Sequence, residues 1–135
     1  MAWLLVNVIS MNLNALTPLM RTHRLQETVD WYVQTLGFTC TDFVPGYGYA
    51  RVQLNGADIM LATQNDHMPF TEPQFTGSFY INTNDADAWW EKLKDKCKVC
   101  YPIETFEYGM REFAVFDING YLLQFGQPVA DNNHE

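Results

Sequence analysis

Aromatic and acidic side chains in two segments of the chain are of the types that bind small molecules. Tyrosine and phenylalanine rings stack on flat heteroaromatic groups, and phenol hydroxyls hydrogen-bond the polar atoms of a ligand. Carboxylates in the same place attract a cationic group. The pattern indicates a site for an aromatic or cationic small molecule, although a tyrosine on a strand is as often half-buried packing and a loop glutamate is more often a solvated charge. The candidates are Tyr47, Tyr49, Phe106 and Tyr108, with Tyr101 near the last pair, and the acids Glu104 and Glu107.

Two of the three cysteines, in Cys97-Lys-Val-Cys100, have the spacing of a redox motif or of half a zinc site. Zinc requires two further ligands, and no second Cys or His pair stands nearby in the sequence. A redox motif opens a helix after a strand, whereas this pair closes a helical pattern. We therefore interpret the pair as structural. The odd number of cysteines indicates a reducing compartment, so we expect a cytoplasmic protein.

The composition indicates a globular protein with neither a nucleic-acid nor a membrane partner. The chain of 135 residues has a formal net charge of -8 and is 15% aromatic. Nucleic acids and anionic membranes bind to basic faces, which this composition does not offer. The apolar run Met1–Ser10 is too short to span a bilayer and has no basic start. It is either an upstream extension, with Met11 as the initiator, or an added strand.

Two Asn-Gly dipeptides mark hairpins in corresponding parts of the chain. Asn55-Gly56 and Asn119-Gly120 each interrupt an apolar run, and they lie 64 residues apart. Asn-Gly favours the positive φ angles that tight hairpins require. The matching hairpins indicate an internal duplication, which must position the candidate side chains.

Each half of the chain contains one helical pattern among several strand patterns. The apolar spacing of Leu25–Leu36 predicts a helix that ends at Gly37, and a second helix is predicted from Asn84 or Asp85, either of which is a suitable cap. The order predicts an α+β domain of two tandem βαβββ units. Its parts are an N-terminal extension 1–12, units 13–64 and 77–127 joined by a connector 65–76, and a polar tail 128–135. The predicted strands are 14–20, 38–44, 47–54, 58–64, 78–83, 99–104, 112–116 and 121–126.

Strand alternation assigns two further side chains to a concave face. Met60 stands between Ile59 and Leu61 in the last strand of the first unit, and Gln124 has the corresponding place in the second unit. One face of each strand packs against a helix, so the side chains between the apolar ones point to the other face. Met60 and Gln124 are therefore predicted to line a cup.

Two segments resemble motifs of the vicinal oxygen chelate superfamily, which includes glyoxalase I, extradiol dioxygenases and bleomycin-resistance proteins. They are Val29-Asp-Trp-Tyr-Val-Gln-Thr-Leu-Gly-Phe38 and Phe113-Ala-Val-Phe-Asp-Ile-Asn-Gly-Tyr-Leu-Leu-Gln-Phe125. Gly77 and Asp85 match the start and the helix-opening acid of the second repeat, and the resemblance covers residues 13–127. It implies an open eight-stranded cup, often formed between two subunits of a homodimer. In the enzymes the cup holds a divalent metal that binds a substrate oxyanion.

The side chains at the family's metal-ligand positions are different in this chain. The resemblance implies a His on the first strand of each unit and a carboxylate or Gln on the last strand. The matching positions are Thr17, Met60, Ser78 and Gln124. Only Gln124 suits a divalent metal, and a neutral amide alone binds it weakly. His23, His67 and His134 fall before a helix, in the connector and in the tail, where solvated histidines are far more common than ligands. We therefore expect no metal and no cofactor.

Three functions are compatible with this pattern. We expect a metal-independent protein of the bleomycin-resistance type, a homodimer that sequesters an aromatic or cationic small molecule and so serves in antibiotic resistance. The alternative is a glyoxalase-like, metal-dependent lyase or isomerase with non-standard ligands around Gln124, or with acid–base chemistry by Glu104 or Glu107. The third is an accessory domain whose cup is filled by side chains. Because one scaffold hosts many chemistries, the sequence leaves the ligand open.

Overall fold

The computed structural model of the chain describes residue 11 and the ranges 13–63 and 69–130. The predictions made for Met1–Ser10, His67, His134 and residues 131–135 of the polar tail fall outside these ranges. No helix within them combines the length and the apolar character needed to cross a membrane.

The first unit consists of a strand, a helix and three further strands. Its elements are β1 (Leu19–Arg21), α1 (Leu25–Gln34), β2 (Thr39–Val44), β3 (Tyr49–Leu54) and β4 (Ala57–Ala62). The sheet has the order β1-β4-β3-β2, in which β1 is parallel to β4 and the other pairs are antiparallel.

The second unit repeats this arrangement. Its elements are β5 (Phe79–Asn82), α2 (Ala86–Leu93), β6 (Lys98–Thr105), β7 (Met110–Phe116) and β8 (Leu122–Pro128). The sheet has the order β5-β8-β7-β6, and β5 is parallel to β8. The predicted α+β fold of two tandem βαβββ units is therefore confirmed.

The end of α1 and the start of α2 each have a clear local reason. α1 buries Leu25, Val29 and Tyr32, which share one helical face, so the apolar spacing is confirmed. Gly37 follows α1 with a φ of 82°, a left-handed conformation that glycine adopts without steric cost. At the start of α2, Asp85 accepts a hydrogen bond from the Ala88 amide at 3.0 Å, so Asp85 rather than Asn84 is the cap.

The two units share one hydrophobic core and a buried polar contact. The Tyr32 hydroxyl of α1 donates to Asp117 Oδ2 at 2.7 Å, across 85 residues of sequence. Asp117 also accepts from the backbone amides of Asn119 and Tyr121 at 2.8 and 2.9 Å. The Tyr121 hydroxyl donates in turn to the carbonyl oxygen of Arg21 at 2.9 Å. The turn after β7 is thus attached to the first unit by directional bonds as well as by packing.

The two hairpin turns are less alike than the Asn-Gly pairs predicted. Between β3 and β4 the positive φ, 52°, belongs to Asn55, and Gly56 has none. Between β7 and β8 the positive φ, 101°, belongs to Gly120, and Asn119 has none. The second turn is longer because Asp117 folds back onto the following amides. The prediction of two matching turns was wrong for this reason.

The segment before β3 also differs from the prediction, which placed Tyr47 on that strand. Pro45–Tyr47 forms a single 3-10 turn, closed by a hydrogen bond of 3.0 Å from the Gly48 amide to the Pro45 carbonyl. Pro45 restricts its own φ, and Gly48 takes a φ of 64°, so the chain cannot run extended through this segment. Tyr47 is consequently 89% exposed.

The cysteines are free thiols in this structure. Cys97 lies between α2 and β6, Cys100 is exposed on β6, and Cys40 lies on β2. Burial raises the pKa of the Cys97 thiol, which disfavours the reactive thiolate. This environment supports the structural interpretation of the Cys97–Cys100 pair.

Candidate functional site

A buried carboxylate, Glu112, stands on β7 among the strands of the second sheet. Its neighbour Phe113 packs against α2 through Trp90, so alternation points Glu112 to the opposite face of the sheet. Glu112 is only 2% exposed, which is unusual for a charged residue without hydrogen-bond partners. Its surroundings must therefore satisfy the carboxylate.

Four donors surround this carboxylate. Tyr80 and Tyr108 donate to Glu112 Oε1 through their hydroxyls, at 3.1 and 2.8 Å. Tyr101 donates its hydroxyl to Oε2, and the Gln124 amide nitrogen approaches the same oxygen at 3.3 Å. A carboxylate has about four acceptor sites, so these four donors complete its hydrogen bonding.

Gln124 connects this carboxylate to a serine on the edge of the sheet. The Ser78 hydroxyl donates to Gln124 Oε1, while Gln124 Nε2 donates to the Tyr101 oxygen at 2.9 Å. The six side chains form one continuous network, which we call the Glu112 cluster. Its members are Ser78, Tyr80, Tyr101, Tyr108, Glu112 and Gln124.

A glycine lets one tyrosine reach this carboxylate. Gly126 on β8 stands opposite Glu112 on β7, and the Tyr80 ring passes directly over it. A Cβ at Gly126 would collide with the Tyr80 hydroxyl and ring carbons. The absence of a side chain at this position is therefore what brings the Tyr80 hydroxyl to the carboxylate.

Aromatic rings form one wall of the cluster. Phe106 stacks on Tyr108 with ring centroids 5.3 Å apart and an angle of 9° between the planes. It also meets Tyr101 edge to face, at 5.8 Å and 89°. Tyr108 is 62% exposed, so part of this aromatic surface faces solvent. Stacked and edge-to-face pairs hold the rings at fixed angles, which suits the recognition of a flat ligand.

The tyrosines of the cluster keep their protons at neutral pH. The hydrogen bond to Glu112 is the largest cause that raises the pKa of Tyr108, to about 12. Burial, followed by the charge of Glu112, raises the pKa of Tyr80. Burial is also the largest cause of the raised pKa of Tyr101. All three phenols are therefore hydrogen-bond donors to the carboxylate.

The polar face of the first sheet has a different composition. Arg51 on β3 forms a two-pronged ion pair with Asp58 on β4, at 2.8 and 2.5 Å. Thr17 donates to the same carboxylate at 3.4 Å. The hydrogen bonds from Arg51 are the largest cause that lowers the pKa of Asp58, to about 2. Half-buried Met60 stands opposite Arg51 in the sheet, and half-buried Tyr49 lies at the start of β3.

The structure brings four of the predicted ligand-binding residues together and leaves the others outside the cluster. Tyr101, Phe106, Tyr108 and Gln124 lie in or against the Glu112 cluster. The remaining predictions do not meet the cluster through any hydrogen bond or aromatic contact among the described residues. They are Tyr47, Tyr49 and Met60 in the first unit, and Glu104 and Glu107, which are exposed at the end of β6 and in the turn after it. Of these, Glu104 stands opposite Glu112 in the pairing of β6 with β7.

Sequence reasoning missed the central residue of the site. Glu112 and Tyr80 are not among the candidates that the sequence patterns indicated. One signal was present: Glu112 is a charged residue in a strand that is otherwise apolar from Phe113 to Phe116. Because Glu112 directly precedes the core residue Phe113, it points to the other face of the strand, and an acid there predicts a polar feature on the concave face.

A cavity of about 1020 Å³ adjoins the cluster at Ser78 and Tyr80. It extends between the turn at Asn55 and the start of α2, where Trp89 and Asp85 line it. Its volume is sufficient for a ligand of drug size. The cluster is therefore placed at the edge of a space that a small molecule can enter.

Sequence comparison identifies the family. The model of the Glyoxalase/Bleomycin resistance protein/Dioxygenase superfamily matches residues 13–125. The chain belongs to this superfamily. The resemblance deduced from the two motifs is thus confirmed. A search of curated protein sequences finds no match.

Solved structures of the same superfamily share the fold at low sequence identity. TioX from Micromonospora sp. ML1 is 18% identical, with 86% of this chain and 100% of that chain covered and a TM-score of 0.69. A glyoxalase/bleomycin resistance protein/dioxygenase from Alicyclobacillus acidocaldarius is 18% identical, with coverages of 90% and 96% and a TM-score of 0.68. A lactoylglutathione lyase from Agrobacterium tumefaciens is 15% identical, with coverages of 85% and 94% and a TM-score of 0.66.

The side chains at the superfamily's metal-ligand positions do not fit a divalent metal. Gln124 Oε1, the oxygen best suited to such a metal, accepts the Ser78 hydroxyl instead. Thr17 is bonded to Asp58, whose carboxylate is held by Arg51. Within the ranges that the structure describes, no three His, Cys, Asp or Glu side chains form a group able to hold a metal ion.

Proposed function

We propose that this protein is a metal-independent, small-molecule-binding protein of the bleomycin-resistance type, which sequesters an aromatic or cationic compound. The observation that carries the proposal is the Glu112 cluster itself. A carboxylate that is 2% exposed and bonded by three tyrosine hydroxyls stands beside a stacked Phe106–Tyr108 pair. Such a site supplies negative charge and aromatic surface, and its carboxylate is occupied by four donors rather than free to attack a substrate or to ligate a metal.

The location of the cluster supports the same function. Ser78 and Gln124 occupy superfamily metal-ligand positions, and here they hydrogen-bond each other. The region that serves catalysis in the enzymes of the superfamily is thus available for binding in this chain. Related cups often lie between two subunits, so the proposal includes a homodimer, and the odd number of cysteines favours a cytoplasmic location. Sedimentation of the purified protein tests the oligomeric state, and a monomer at micromolar concentration would remove the dimer from the proposal.

Calorimetric titration with metal-free bleomycin, followed by a panel of bicyclic aromatic amines, tests the proposal. Each titration is performed with chelator and again with added zinc, nickel or manganese. We expect at least one compound to bind with the same affinity in both conditions. Binding that requires the metal, together with stoichiometric metal in the purified protein, would replace the proposal with the lyase alternative.

A matched pair of variants locates the binding site. Tyr108→Ala removes the ring that stacks on Phe106, and we expect it to weaken binding about twofold to twelvefold, since an aromatic pair contributes about 0.5–1.5 kcal/mol beyond its buried area. Tyr47→Ala removes an exposed tyrosine outside the cluster and should leave the affinity unchanged. Equal effects of the two substitutions would show that the ligand binds elsewhere.

A further inference from the structure

We propose that the Glu112 cluster selects ligands that carry a protonated primary or secondary amine, and that it rejects oxyanions. This inference rests on the proposed binding function and adds the chemical class of the ligand group that meets the cluster. Its basis is the direction of the hydrogen bonds, which determines what the cluster can still offer to a ligand.

Every hydroxyl hydrogen of the cluster is used inside it. The three tyrosine hydroxyls each have one hydrogen, and each donates it to Glu112. The Ser78 hydroxyl donates its single hydrogen to Gln124 Oε1. The Gln124 amide nitrogen donates to the Tyr101 oxygen and approaches Glu112 Oε2 at 3.3 Å. No hydroxyl hydrogen is left to bond an acceptor on a ligand.

The hydroxyls on the side of the ligand therefore offer only acceptors. The oxygens of Ser78, Tyr80 and Tyr108 retain lone pairs after donating their hydrogens. Ser78 and Tyr80 line the cavity beside the cluster, and Tyr108 is largely exposed. A carbonyl or carboxylate placed there would face lone pairs, whereas an N–H group would be bonded.

The charge of the cluster favours the same class of ligand. Glu112 takes part in none of the ion pairs found in the described part of the chain, which join Arg51 to Asp58, Lys94 to Glu91 and Arg111 to Asp87. Its negative charge is therefore not neutralised by a protein cation. A ligand ammonium would supply the missing positive charge and would lie near the tyrosine rings, which also attract cations.

Reversing a tyrosine hydroxyl to serve an acceptor would be costly. Its hydrogen would leave Glu112, and a buried carboxylate that loses a donor is strongly destabilised because water cannot replace the bond. The preference is thus built into the network. This preference also differs from one based on cation–π attraction alone. Such attraction needs no N–H group, so it would favour a quaternary ammonium and a primary ammonium equally.

Three probes with one aromatic ring system test the inference. They are 2-naphthylmethylammonium, its N,N,N-trimethyl analogue and 2-naphthoate, titrated at 0.5 M salt to screen the overall negative charge. Binding is followed by NMR shifts of the cluster residues. We expect the primary ammonium to bind about tenfold more tightly than either other probe, because hydrogen bonds to charged groups are the stronger ones.

Two variants and a control assign the preference to the cluster. Glu112→Gln should reduce the preference for the ammonium over naphthoate at least tenfold, since the amide places donors where the carboxylate had none. Glu27→Gln makes the same charge change at an exposed position on α1 and should leave it unchanged. If the Glu112→Gln variant unfolds, the Tyr80→Phe variant is used instead. The loss of one acceptor oxygen should weaken the binding of the primary ammonium but not the binding of naphthoate.

The outcomes separate this inference from the proposed function. Naphthoate or the trimethyl analogue binding as tightly as the primary ammonium would overturn the inference and leave a binding protein of other specificity. An unchanged preference in both Glu112→Gln and Tyr80→Phe would also overturn it. The absence of binding by all three probes would refute the proposed function together with the inference.

Discussion

Removal of one buried hydroxyl should weaken the attachment between the two units in a pH-dependent way. Tyr32 is completely buried and donates to Asp117 at 2.7 Å, and Asp117 is 6% exposed. Tyr32→Phe keeps the ring and its packing, so the main change is the loss of this bond. A hydrogen bond to a charged group contributes about 1.5–3 kcal/mol, so we expect a loss of about 2 kcal/mol in the free energy of unfolding at pH 7.

The same loss can be expressed as a melting temperature. An unfolding entropy of about 2.1 cal/mol/K per residue, applied to a chain of this length, converts about 2 kcal/mol into a fall in Tm of roughly 7 °C. Urea unfolding gives the free energy directly. Tyr47→Phe, at an exposed position, is the matched control and should change stability by less than about 0.5 kcal/mol.

The pH dependence follows from the environment of Asp117. Burial raises the pKa of Asp117 in the folded protein above its usual value, and the hydrogen bond from Tyr32 is the largest of the opposing causes. A raised carboxyl pKa means that folding disfavours the ionised form. The resulting penalty is absent below the unfolded pKa of about 3.9 and complete above the folded pKa. Tyr32→Phe enlarges this penalty.

The effect of Tyr32→Phe should therefore be greater at pH 7 than near pH 4. Urea unfolding of both proteins at the two pH values measures the difference, and all other titrating groups cancel in the comparison. An effect of the same size at both pH values would refute the role assigned to the Asp117 charge. An effect below about 0.5 kcal/mol at pH 7 would refute the hydrogen bond itself.

Three further predictions concern separate parts of the fold. Gly126→Ala should displace the Tyr80 ring from Glu112 and reduce binding of the ammonium probe several-fold, as Tyr80→Phe does; wild-type affinity in the alanine variant would contradict the close approach. Asp85→Ala should lower the free energy of unfolding by about 1 kcal/mol because α2 loses its N-cap. Denaturant unfolding measures this change, and a much smaller loss would contradict the role of Asp85 as the cap. Exposed Cys100 should react with maleimide faster than Cys97, whose thiol pKa is raised by burial, and the reverse order in mass spectra would disprove this.

Much of the fold could be predicted because its signals are local. The helical spacing that begins at Leu25 predicted α1, and Gly37 marked its end because a left-handed residue terminates a helix. Alternation of apolar residues correctly placed Ile59 and Leu61 in the core. The turn between β7 and β8 was predicted less well, since its conformation depends on how Asp117 folds back, and Asp117 is tied to Tyr32 on a distant helix.

The candidate site was predicted only in part, and there is a physical reason why some of its residues were predicted and others were not. Phe106 and Tyr108 are close in the sequence, so their proximity needed no tertiary information. Tyr80 reaches Glu112 across 32 residues, and only the strand order of the second sheet makes them neighbours. Two register shifts in β6 also determine where Tyr101 meets β7, and a local pattern does not report such shifts.

By itself, the sequence determined the superfamily, the tandem βαβββ units and the replacement of the metal ligands, because residue type, periodicity and motif spacing are properties of the chain. Only the tertiary structure decided that Glu112 is the centre of the site and that the hydroxyls around it point inward. A hydrogen bond has a direction that depends on the relative positions of both partners. That geometry arises only when β5, β6, β7 and β8 are assembled in register.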